Sequence, residues 1–132
     1  MEQMFSKWQP TALSLMRFIT GLVLFQYGVA KLLKIPPNSP FAKVHLMSLF
    51  GASGVIELIF GGLLLLGLFT RPVAFILAGE MAFAYFIEHL PRSFFPVIND
   101  GSLAIALCFT CLFLATAGGG PISLDALMGK KR

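Results

Sequence analysis

Residues 54–72 read GVIELIFGGLLLLGLFTRP, and this stretch decides the fold class. It holds one acid, Glu57, in a run of leucines, isoleucines and glycines that ends at Thr70 and Arg71. Pro72 then opens a second apolar run that continues to about Leu90. A turn that short makes the two runs antiparallel neighbours. Each is close to the ~20 apolar residues that a helix needs to cross a bilayer.

The rest of the chain follows the same pattern. Upstream, an apolar stretch covers about residues 11–33, with Trp8 placed for an interface and Pro10 for a helix start. It is longer than the ~7–15-residue core of a signal peptide and reads as a span. Pro36, Pro37 and Pro40 break the chain after it. Ser39 and Pro40 then read as the start of a short interfacial helix over about 41–50. Downstream, Phe94 and Phe95 suit headgroup depth, and Asp100 is the expected cap of a last span over 102–117. The Gly118–Pro121 turn ends that span, and SLDALMGKKR (123–132) reads as an interfacial tail. The expected fold is all-α: a single-domain (1–132) transmembrane four-helix bundle. Its spans fall at about 11–33, 49–69, 72–90 and 102–117, with the interfacial helix before the second.

Composition agrees. The chain has 132 residues, 57% apolar and 12% charged, against roughly 25% charged in soluble domains. That excludes an ordinary soluble enzyme, a disordered tail and a disulfide-stapled secreted domain. It also leaves no room for a separate catalytic domain. The net charge of +4 is spread along the chain, with one basic run at Lys130, Lys131 and Arg132. Such a run beside a membrane meets anionic headgroups, and no nucleic-acid partner is expected. Lys7, Arg71 and this run fall on one side; Lys34, Lys43 and Arg92 fall on the other. The positive-inside rule then places both termini in the cytoplasm.

Few polar residues interrupt the spans. At ~100° per residue, Arg17, Gly21, Leu24, Gly28 and Lys31 share one face of the first span. Gln26 lies opposite, where a second copy of the chain is the expected neighbour. Gly54, Glu57 and Gly61 share a face of the second span. In the third, Glu80 and the pair Tyr85 and His89 point to different sides. Rise per residue makes Arg17 with Glu80 and Lys31 with Glu57 feasible pairs. Two readings stay open: ion pairs that fix helix packing, or a buried site for a ligand, proton or quinone headgroup. The candidate ligand-binding residues are Arg17, Lys31, Glu57, Glu80, Tyr85 and His89. Cys108-Phe-Thr-Cys111 lies within a span on a stripe with Ala104 and Ala115, so it reads as a packing seam rather than a redox pair. His45 and His89 lack a third ligand at metal-site spacing, so no metal is expected. No nucleophile–base pair is present, and no catalytic residue is assigned.

Taken in order, these pieces resemble the DoxX family of small four-span membrane proteins. The likeness lies in Arg17, Gly21, Gly28 and Lys31, in residues 54–72, in EMAFAYFIEHLPRSFFPVIND (80–100) and in GGGPISLDAL (118–127). The resemblance implies a bundle in the cytoplasmic membrane of a prokaryote. Some relatives are described as subunits of a thiosulfate:quinone oxidoreductase, others as membrane partners of soluble redox enzymes. It therefore implies a membrane subunit or partner of a redox or stress-response system, with quinone or lipid as candidate ligand. The alternative is a non-enzymatic assembly module or small-solute transporter. The lipid bilayer, a soluble or membrane redox partner and a second copy of the chain are the expected partners.

Overall fold

A computed structural model of the chain describes residues 2–35, 37 and 48–129. The described residues are helical, with no strand among them. In chain order they form α1 (Glu2–Ser6), α2 (Gln9–Leu32), α3 (Leu49–Leu66), α4 (Thr70–Ala84), α5 (Pro96–Asn99), α6 (Ser102–Ala117) and α7 (Leu124–Leu127). α4 runs on into a π-helical turn, Tyr85–His89. The expected interfacial helix and its Ser39–Pro40 start lie outside the described residues up to Met47, as does His45.

Local signals set the helix ends. Pro10 stands in the first turn of α2, where its missing N–H costs nothing. Ser48 caps α3 by accepting from the Gly51 N–H at 3.2 Å. Gly67, at φ 74°, closes α3 in the left-handed conformation that glycine adopts without strain. α4 with its π turn, and α2, are long and apolar enough to cross a membrane; α3 and α6 are shorter apolar helices.

The four long helices pack as two close pairs, α2 with α3 and α4 with α6, joined through α3 and α4. One core unites them: Leu24, Leu64, Val73, Ala74, Leu77, Ala78, Met81, Cys111 and Leu114. Glycines set the α2–α3 approach. A Cβ on Gly21 would strike the Leu65 backbone, one on Gly28 the Leu58 backbone, and one on Gly61 the Phe25 backbone. The touching pairs (21 with 65, 25 with 61, 28 with 58) run in opposite directions in constant register, so the helices are antiparallel. Cys111 is buried, Cys108 packs beside it and both are free thiols, which agrees with the packing seam.

The surface is inverted relative to a soluble protein. Ser14, Arg17, Thr20, Lys31, Glu57, Thr70, Asn99 and Asp125 are buried, while Phe75, Phe83, Phe109 and Phe113 face outward, Phe83 at 70% exposure. Charged side chains are almost never fully buried unless paired. A bundle with polar groups inside and aromatics outside matches a lipid surround.

Sequence expectation and structure differ at the start of α6. Asp100 does not cap α6: it is exposed at φ 60°, and Asn99 Oδ1 instead accepts from the Gly101 N–H at 2.8 Å. The segment after α6, expected as an interfacial tail, is anchored to the bundle by Asp125, which is fully buried. Leu63 of α3 packs against the core.

Candidate functional site

Lys31 stands one residue before the end of α2, and its stem crosses Gly54 of α3. A Cβ on Gly54 would lie 2.8 Å from Lys31 Cβ, so the glycine makes the passage. The ammonium donates to Glu57 Oε1 at 2.9 Å and Oε2 at 3.1 Å, and to Ser53 Oγ at 2.8 Å. Tyr27, one turn earlier on α2, places its ring 6.0 Å from the same ammonium. Lys31 is 8% and Glu57 2% exposed. Ser53 precedes Glu57 by one helical turn, so both side chains leave the same face. From α4, Glu80 brings Oε2 to 3.0 Å from Ser53 Oγ. Three helices thus meet at one polar cluster inside the apolar bundle.

Hydrogen counting gives this cluster its chemistry. Ser53 Oγ lies 2.8 Å from Glu57 Oε2 and 3.0 Å from Glu80 Oε2. A hydroxyl has one proton and two lone pairs. It can donate to one carboxylate; the other contact needs a proton on the carboxyl. Both Glu57 oxygens already accept from the Lys31 ammonium, which marks Glu57 as the ionised partner. The complete arrangement is then Glu80 O–H to Ser53, Ser53 O–H to Glu57, and Lys31 to both. Glu80 Oε1 has no hydrogen-bond partner among the described residues. It is an unfilled acceptor beside a proton-bearing oxygen.

Tyr85 and His89 belong to a separate cluster. The π turn shifts the helical register and stacks the two rings at 6.2 Å. His89 Nδ1 lies 2.9 Å from the Asn99 carbonyl, and the buried Asn99 donates to Ser93 O at 2.8 Å and to Tyr85 Oη at 3.3 Å. These contacts fix the loop between α4 and α6.

Arg17 belongs to a third. Its Nη2 donates to the carbonyl of Ile122 at 2.8 Å and to that of Ser14 at 3.4 Å. Ser14 Oγ accepts from the Ile122 N–H at 3.0 Å. Asp125 accepts from the Phe69 and Thr70 N–H groups at 2.9 Å each, which caps α4 from 55 residues away. The expected Arg17–Glu80 pair is therefore corrected: Arg17 is held by the segment after α6, and Glu80 by Ser53. The expected Lys31–Glu57 pair is present. Sequence reasoning missed Ser53, Asn99 and Asp125. The one-turn spacing from Ser53 to Glu57 was the available signal for the first. The other two act through contacts that spacing does not carry. No metal-holding group of histidines, cysteines and acids occurs among the described residues.

A family model described as DoxX matches residues 12–90, a range that contains Arg17, Lys31, Ser53, Glu57, Glu80, Tyr85 and His89. A protein of Haemophilus influenzae, described as an uncharacterized protein, is 36% identical over 133 residues, covering 95% of this chain and 96% of its own. No solved structure matches the chain.

Proposed function

The chain belongs to the DoxX family, and from that premise we propose a membrane protein whose Lys31–Ser53–Glu57–Glu80 cluster binds the hydrogen-bonding headgroup of a quinone-type ligand. In this reading it serves as membrane subunit or partner of a redox or stress-response system and does not catalyse alone. The whole chain forms one unit of four spans, α2, α3, α4 and α6, in the cytoplasmic membrane, with both termini in the cytoplasm.

The observation that carries the proposal is the shared serine. Two carboxyls and one hydroxyl, buried among apolar side chains, hold one proton more than ionised acids would. The reduced, quinol form of a quinone headgroup carries hydroxyls that can donate to the open Glu80 Oε1, and apolar helix faces accommodate its tail. The short α3 and α6 fit a four-span arrangement because the bilayer thins, or flanking residues reach out, around short spans. The basic residues Lys7 and Arg71 support the orientation, since both are exposed at the same end of the bundle.

Extraction of the protein purified in native lipid tests this reading. Stoichiometric quinone or quinol in the wild type, lost in Glu80→Leu, is the expected result. No quinone in any preparation, together with proton-linked solute flux in proteoliposomes, supports the transporter reading instead. That second reading draws on the same exchangeable proton.

A further inference from the structure

The end of the bundle away from the Lys31 cluster carries an open groove. α2, the end of α3 and residues 121–127 enclose a groove of about 660 Å³ whose lining includes Arg17, Phe18, Leu66, Ile122, Leu124 and Leu127. Its walls are apolar apart from Arg17 and Ser123. The Arg17 side chain is 3% exposed, and Nη2 alone is engaged, by two carbonyls. Nε and Nη1 have no hydrogen-bond partner among the described residues. Asp125 is near enough to act on the guanidinium electrostatically, but both its oxygens are committed to the α4 N-terminus.

A buried guanidinium with idle donors is costly, and the group that relieves it best is an oxyanion. Nε and Nη1 each offer a charged donor to a phosphate oxygen, fixed in the plane of the guanidinium. The groove's apolar walls supply what a free phosphate does not need, a surface for acyl chains. Exposed Lys7 and Arg71 add positive charge at this end. We propose that this groove holds one anionic phospholipid, its phosphate on Arg17 and its acyl chain along Phe18, Leu66 and Leu127. The site is independent of the Lys31 cluster.

Native mass spectrometry of the purified chain, after exposure to vesicles of phosphatidylglycerol or of phosphatidylcholine, tests it. The expected result is one retained phosphatidylglycerol and little phosphatidylcholine. Arg17→Lys keeps the cation but loses the idle Nε and Nη1 donors, and should weaken retention by about tenfold, the scale of one charge-assisted hydrogen bond. Leu127→Trp fills the groove from a side chain that is 81% exposed, so it should abolish retention with the melting temperature unchanged. Glu80→Gln should leave retention as in the wild type. Equal retention of both lipids, or retention indifferent to both groove variants, would overturn the proposal. So would displacement of the lipid by inorganic phosphate alone, which would make the free anion the occupant.

Discussion

Glu57 and Glu80 are the same residue type at similar depth, yet their neighbours give them different tasks. Glu57 neutralises a buried ammonium through two hydrogen bonds, at 2.9 and 3.1 Å. Glu80 meets Ser53 through one oxygen only. Glu57→Gln leaves Lys31 without its counter-charge, a change that costs about 3–5 kcal/mol when a buried pair is broken. Glu80→Gln retains an amide that can donate to Ser53 and should lower the melting temperature far less. Thermal melts of both variants in detergent check this order; a less stable Glu80→Gln would contradict the assignment of Lys31 to Glu57. Helical spacing made the Lys31–Glu57 pair legible in the sequence. It also allowed an Arg17–Glu80 pair, because depth counting sees only side chains. The carbonyl of Ile122 that holds Arg17 is a backbone group 105 residues away.

At the scale of elements, the α2–α3 seam and the segment after α6 hold the site in place. Gly28 lies against the Leu58 backbone, where no side chain can move aside. Gly28→Ala should therefore push the helices apart and destabilise by about 1–3 kcal/mol, as overpacking does. Gly79 has nothing within 4 Å of its would-be Cβ, so Gly79→Ala should be neutral or slightly stabilising. Melting curves of the two alanine variants separate a packing glycine from an idle one. Asp125→Ala removes both side-chain acceptors from the N-terminus of α4 and should cost about 1–2 kcal/mol, the range for a lost helix cap. Helix positions and the glycine faces were legible from apolar run length and seven-residue spacing. The closing segment was visible as a motif but not as a cap, since residues 118–127 show their role only against the α3–α4 turn.

Within its long helices the molecule buries Arg17, Lys31 and Glu57 and turns Phe75, Phe83, Phe109 and Phe113 outward. Composition and periodicity cannot say which polar groups meet, and here three helices bring Lys31, Ser53, Glu57 and Glu80 to one point. The account turns on the proton this cluster holds. Infrared spectroscopy of the protein in bilayers reads that proton as the carbonyl stretch of a protonated carboxylic acid in an apolar setting. The prediction is a band present at neutral pH in the wild type, absent in Glu80→Gln and insensitive to the outward-facing Phe83→Leu. A wild-type spectrum with only ionised carboxylates, or a band that survives Glu80→Gln, would contradict the account.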